Sequence, residues 1–301
     1  MKTPQVSFPE LATALGVSEL WLKREDLHHF GSHKGRSIPF MIDHYWHKEN
    51  IFNFVISSSG NAALAGALHV QHHNENNPDK KITLKIFVGN KIPAEKLQKL
   101  TELVDEHITI EQVANPRQAA FQIDASGTAK LIRQSTDDLA LKGYKELAEE
   151  LNHIPNLQAI FIPTSSGTTA QALGEAFQHL EQKPQIHIVQ TKAVHPIADS
   201  FQSVMCPTHG KYVADPESSI AGAIVDKIAN RKFPVVDAIL KSNGKGWIVT
   251  DSEIEFAQKT VKDTINLDIS PNSALAIAGI SEAKLSGHQF SGAIVALITG
   301  A

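Results

Sequence analysis

The stretch FNFVISSSGNAALAGALHV, Phe52 to Val70, decides the fold. Its first six residues are mostly aromatic or β-branched, as a strand covered on both faces requires. Three serines, Gly60 and Asn61 then break the run. An alanine-rich segment with helical spacing follows. A strand that opens through a small polar turn into a helix is the repeating piece of a parallel sheet, whose strands need crossover helices.

The same alternation recurs along the chain. LWLK (Leu20–Lys23), ITLKIFV (Ile82–Val88), HITIEQV (His107–Val113), AIFIP (Ala159–Pro163), IHIVQ (Ile186–Gln190), GWIVT (Gly246–Thr250) and AIVALI (Ala293–Ile298) all predict strands. Helical patterns lie between many of them: NAALAGALHVQHH, IPAEKLQKLTELVDE, TTAQALGEAFQHLEQ and TDSEIEFAQKTVKDTI. The expected class is α/β. No Pro/Gly/Ser-rich joint divides the chain, so a second domain is expected as an insertion rather than a tandem unit.

Composition narrows the function classes. The 301 residues are 42% hydrophobic and 20% charged, with a net charge of 28 − 32 = −4. That is ordinary for a soluble globular protein and shows no basic stripe for nucleic acid. The apolar runs are too short to span a membrane. MKTPQVSFPE has no apolar segment of the signal-peptide kind. A single cysteine, Cys206, excludes an internal disulfide and suits the cytoplasm. HVQHH (His69–His73) has i, i+3 and i, i+4 spacing, but it runs into the polar NENNPDKK with no evident carboxylate or cysteine partner. A solvated helix end is expected there, and no metal.

Ligands bind beyond the carboxyl ends of strands in open α/β sheets. Three such ends carry small polar residues. SSSGNAALAG, from Ser57, offers helix-start N–H groups to an anion such as a carboxylate, unless a serine caps the helix. IPTSSGTTAQALG, from Ile162, clusters hydroxyls at a helix start as a phosphate cradle would, without the lysine of a nucleotide P-loop. AIVALITGA ends a buried strand in Thr299. Upstream, LKREDLHHFGSHKGRSIPF (Leu22–Phe40) sets Lys34 in a small-residue turn amid histidines.

These segments together resemble pyridoxal-phosphate enzymes of the tryptophan synthase β superfamily, the fold-type II group. LWLKREDLHHFGSHKGRS is similar to the family's lysine motif, SSSGNAA to its substrate loop, and TSSGTTAQALG stands at its phosphate loop. SSIAGAIVD, VTDSEIEFA, SPNSALAIAGI and ALITG follow in the family's order. The resemblance implies two α/β domains, each with a mostly parallel twisted sheet flanked by helices. The larger would hold residues 1–38 and 146–301, the smaller residues 39–145, with Lys34 at the cleft. It implies pyridoxal 5'-phosphate as cofactor and a small amino acid as substrate. Lys34 would carry the cofactor and move the α-proton. Asn61 would hold the phenolic oxygen, and Ser58, Ser59, Gly60 and Asn61 the substrate carboxylate. Ser165, Ser166, Gly167, Thr168 and Thr169 would hold the phosphate. Thr299 would face the ring nitrogen, where a hydroxyl suits elimination and replacement. His33 and His29 would lower the lysine's pKa or touch the phosphate. A cytoplasmic homodimer is implied by analogy only.

The motif departs from the family at Phe30, His33 and Gly35. HHFGSHK is similar to the tryptophan synthase β pattern, yet the substrate loop here reads S-S-G-N. The second half most resembles threonine synthase, so a carbon–oxygen lyase of that kind is the first expectation. QSTDDLALKGYKELAEEL, from Gln134, instead resembles serine/threonine dehydratases. It sets Asp137 and Asp138 where a distal phosphate would sit, with Arg36, Arg117 or Arg133 to compensate. Ser59 matches a proton donor of serine racemases, which leaves dehydration or racemisation open. A non-catalytic protein that keeps the fold is a further alternative.

Overall fold

A computed structural model of the chain describes residues 2–201 and 218–300, and Cys206 falls outside them. In chain order the elements are β1 (Gln5–Ser7), α1 (Pro9–Ala14), β2 (Glu19–Arg24), α2 (Ile38–Glu49), β3 (Asn53–Ser57), α3 (Asn61–Asn76), β4 (Thr83–Gly89) and α4 (Ala94–Thr101). Then come β5 (Ile108–Val113), α5 (Pro116–Ala125), β6 (Lys130–Leu131), α6 (Leu139–Lys142), α7 (Lys145–Leu151), β7 (Leu157–Pro163) and α8 (Thr168–Phe177). The last are β8 (Gln185–Thr191), α9 (Lys232–Lys241), β9 (Gly246–Val249), α10 (Asp251–Ile265), α11 (Pro271–Leu285) and β10 (Ala293–Ile298).

Two units form, Met1–Leu27 with Tyr144–Ala301, and His28–Gly143. The cuts differ from the sequence expectation of residues 38/39 and 145/146. Phe30 joins the apolar core of α2, α3 and β4, which binds the segment after Leu27 to the second unit.

In the discontinuous unit, six strands run in the order β1-β2-β10-β7-β8-β9, parallel except that β1 is antiparallel to β2. Every residue of β10 is buried, and Ala274 to Ile280 of α11 are buried against the sheet. Such all-round burial explains why AIVALI and SALAIAGI lack any polar alternation. α10 starts with a capping box. The Thr250 hydroxyl accepts from the Glu253 N–H at 3.3 Å, and the Glu253 carboxylate accepts from the Thr250 N–H at 2.6 Å. α8 ends earlier than its pattern suggests. The Lys183 ammonium donates to the carbonyls of Phe177, Gln178 and Leu180, satisfying groups a longer helix would have used.

His187, on β8, is fully buried and stacks on Phe161 at 4.6 Å. Its Nδ1 accepts from the Trp247 indole at 3.1 Å and from the Lys245 N–H at 3.2 Å. Burial, then the neighbouring His288, lowers its pKa from 6.5 to about 3. The folded value lies below the unfolded one, so the unfolded chain binds the extra proton. Stability from this group is therefore complete above about pH 6.5 and falls as pH drops toward 3, by on the order of 4–5 kcal/mol. Urea midpoints measured between pH 7 and 4 should fall more steeply for the native chain than for His187→Gln. Equal slopes would remove the histidine from the acid transition.

The second unit has a four-stranded, wholly parallel sheet in the order β5-β4-β3-β6. β3 ends at Ser57 and leads through Ser58–Gly60 into α3.

Candidate active site

In the second unit, Lys34 lies on a one-turn 3-10 helix, His33–Arg36. The Ser32 hydroxyl caps that turn, accepting from the Lys34 N–H at 3.3 Å. The turn lies against α3. Gly35 is buried, and a Cβ there would fall 2.2 Å from His28 Nδ1. That nitrogen is itself held, accepting from the Phe30 N–H at 3.2 Å. Glycine therefore stands where the family often has aspartate because the His28 ring fills the space. Gly35→Ala is expected to cost about 1–3 kcal/mol by overpacking, read as a lower urea midpoint, and His28→Ala in the same chain should restore part of it. A Gly35→Ala chain as stable as the native one would show that the ring gives way freely.

The Lys34 side chain is half-buried, and its ammonium makes no hydrogen bond or ion pair among the described residues. His33, beside it, is half-buried and partnered. His29 is exposed; partial desolvation, then the neighbouring His72, lowers its pKa from the ordinary histidine value.

At the start of α3 the N-cap is Gly60, and no side chain caps the helix. The Ser58 hydroxyl instead accepts from the Gly60 N–H at 3.3 Å. The first-turn N–H groups therefore remain for an outside acceptor, which disposes of a serine cap. Ser59 and Asn61 are half-buried, and their side chains bond no group among the described residues.

In the discontinuous unit, β7 opens into α8 through Thr164–Gly167. Gly167 is the N-cap with φ +88°, in the left-handed region, and no side chain caps α8. A Cβ at Gly167 would lie 2.5 Å from Val235, so both backbone and space call for glycine. The Ser166 and Thr168 hydroxyls are 3.1 Å apart at this helix start, and Thr168 and Thr169 are buried. Ser165 behaves differently from its sequence expectation. Its hydroxyl donates to Asp226 at 2.9 Å and accepts from the N–H groups of Val225 and Asp226 at 3.2 Å. Thr299, buried, follows β10, which runs parallel to β7, so both polar ends lie at one edge of that sheet.

Two residues escaped the sequence. Asp226 is the acid that ends SSIAGAIVD, the one available signal for it. Arg231 is buried and donates to Gln171 of α8 at 3.1 Å, and nothing in the sequence marked it.

HVQHH is not a solvated helix end. His69 and His73 are each only 5% exposed, and a carboxylate, Asp43 of α2, faces them. Among the arginines named as compensating, Arg36 is buried, Arg117 is exposed on α5, and Arg133 donates to Ser135 at 3.2 Å.

The second unit holds an amine in a tight turn and one uncapped helix start, and the discontinuous unit holds another uncapped helix start with clustered hydroxyls and a buried threonine; these are the donor types that an aldehyde carrying a phosphate and a ring nitrogen calls for. The chain matches the sequence profile of the family described as pyridoxal-phosphate dependent enzyme over residues 1–300. It is similar to a serine racemase of Dictyostelium discoideum, 24% identical over 284 residues covering 93% of this chain and 82% of that protein. It is similar to a catabolic L-threonine dehydratase of Staphylococcus aureus, 23% identical over 318 aligned positions covering 99% of this chain and 83% of that protein. The solved structure of maize serine racemase superposes with a TM-score of 0.82 at 20% identity, covering 100% of this chain and 88% of that one. Among the described residues no helix is long and apolar enough to cross a membrane. With the parallel sheets, the donor set and a family match along nearly its whole length, the chain belongs to the pyridoxal-phosphate dependent enzymes, in the fold-type II group of the tryptophan synthase β superfamily.

Proposed function

We propose that the chain dehydrates a small β-hydroxy amino acid of the serine or threonine class. Lys34 holds the cofactor and then takes the proton from the substrate α-carbon. Pyridoxal phosphate supplies an electron sink for the charge that this carbon gains. Ser58, Ser59 and the N–H groups at the start of α3 bind the substrate carboxylate, and Asn61 takes the cofactor's phenolic oxygen. Ser166, Gly167, Thr168 and Thr169 take the cofactor phosphate, and Thr299 faces its ring nitrogen.

The segment after Gln134 favours this over a threonine synthase. Asp137 accepts from the Tyr45 hydroxyl at 2.6 Å and from the Leu139 N–H at 2.9 Å. Burial, then the hydrogen bond to Asp137, raises the Tyr45 pKa, which keeps the phenol a donor. Two carboxylates beside Arg133 make a poor seat for a substrate phosphate. The name of the L-threonine dehydratase relative points the same way. Racemisation is the second reading, supported by the serine racemase likeness and by the unengaged Ser59 hydroxyl.

The test is to load the purified chain with pyridoxal phosphate and supply L-serine, L-threonine and O-phosphohomoserine in turn. Release of a 2-oxo acid and ammonia from a hydroxy amino acid is expected. Threonine made from phosphohomoserine would replace this proposal with the synthase, and D-serine without 2-oxo acid would replace it with the racemase. No product from any of them would sink it.

A further inference from the structure

The buried histidines of α3 and the aspartate opposite them form a cluster that the amino-acid chemistry does not use. His69 and His73 are one turn apart on one face of α3. Asp43 reaches them from α2, its Oδ1 2.8 Å from His69 Nε2 and 3.9 Å from His73 Nδ1. One ligand atom from each residue lies within 4.8 Å of the other two. A zinc ion with bonds of about 2.0–2.1 Å in a tetrahedron would set its ligands about 3.3 Å apart, so the two carboxylate distances bracket that spacing.

The surroundings are those of a ligand shell. His73 Nε2 lies 3.3 Å from the Lys80 carbonyl, an acceptor that places the ring proton on Nε2. Nδ1 is then a bare lone pair that faces a carboxylate, an arrangement a cation would complete. His69 Nε2 donates to Asp43 Oδ1, while its Nδ1 is buried without a hydrogen-bond partner. Shifting the proton to Nδ1 frees Nε2 as a ligand and leaves a buried N–H that the metal bond must offset. Both rings are held in place by aromatic edges. Trp46 meets His73 at 4.4 Å and 86°, and Phe30 meets His69 at 5.4 Å and 88°. The Asp43 side chain is 44% exposed, so the carboxylate is open to an ion arriving from solvent.

We propose that Asp43, His69 and His73 bind a divalent transition-metal ion of the zinc class. Two imidazoles and one carboxylate suit zinc, nickel or cobalt over magnesium or calcium. Such an ion ties α2, which follows the lysine turn, to α3, which begins at Asn61.

Zinc chloride titrated calorimetrically into the full chain, freed of excess cofactor, tests this. One saturable equivalent is expected. Asp43→Asn and His73→Gln should each weaken it at least about tenfold, while His72→Gln and His47→Gln stay within about twofold. Asp43→Asn keeps an acceptor for His69 on a half-exposed side chain, so its folding is not at stake. Nickel should quench the Trp46 fluorescence, and Trp46→Phe should remove that signal. No saturable heat, full affinity in Asp43→Asn, or loss confined to His47→Gln would overturn the assignment.

Discussion

Lys34→Ala is expected to lower turnover by at least about a thousandfold while leaving folding stability within about 0.5 kcal/mol. The two halves of that expectation have separate causes. The ammonium contributes no hydrogen bond or ion pair to the fold among the described residues, so truncation removes little that holds the turn. The turn is kept by the Ser32 cap and the seating of Gly35 under His28, neither of which involves the lysine side chain. In the proposed chemistry the same group both attaches the cofactor and moves the α-proton, so one deletion removes two functions. The check is an absorbance spectrum with added pyridoxal phosphate beside turnover and a urea midpoint. Native and mutant should differ in the band of lysine-linked cofactor and in rate, and coincide in the midpoint. A mutant that retains a tenth of the native rate would move the role to another amine.

Lys23→Met is expected to cost about 3–5 kcal/mol, because it breaks a buried ion pair by removing one partner. Lys23 is 0% exposed and forms an ion pair with Glu150 of α7. Its ammonium also donates to the Thr3 carbonyl at 2.9 Å and to Gln5 at 3.4 Å. The Thr3 N–H reaches Glu150 at 3.3 Å, and the Thr3 hydroxyl donates to Glu25 at 2.5 Å. One side chain on β2 thus holds the segment before β1 and the helix α7 together. Removing both charges should cost less than removing one. Lys23→Met with Glu150→Leu should therefore unfold at higher urea than the sum of the single changes implies, as coupled neighbours do. Near-UV circular dichroism across a urea series would show it. A Lys23→Met midpoint equal to the native one would mean that Glu150 finds other compensation.

These two lysines also show what the sequence can carry. Both stand in one stretch with a family resemblance, and the role proposed for Lys34 comes from that resemblance. The structural role of Lys23 was not, because Glu150 comes 127 residues later. The eight apolar runs became strands because β-branched and aromatic residues suit a pleated surface, whether wholly buried as in β10 or mostly unburied as in the edge strand β5. β1 and β6 were missed because QVS and KL are three and two residues long and carry no such run. α4 stops at Thr101 rather than continuing to Glu106. Turn bonds from the N–H groups of Leu103 and Val104 to Leu100 and Thr101 close the chain there. The histidines of α3 were misjudged for the same reason as Lys23, since Asp43 sits on the preceding helix and only the fold brings it near.

The placement of β10 has a consequence for how the protein is made. Its residues pair with β2 on one side and β7 on the other, Ile294 opposite Leu20 and Ala159. During synthesis β2 emerges first and waits for its parallel neighbour while 293 − 24 = 269 further residues are added. At bacterial to eukaryotic elongation rates that wait is about 13–54 s. The segment His28–Gly143, contiguous and carrying its own sheet, has all its strands long before then. The nascent chain therefore passes through a stage in which one sheet can form and the other has an unfilled slot at its centre. During that interval β2 and β7 present apolar edges on which a holdase chaperone, or a neighbouring ribosome's product, can act.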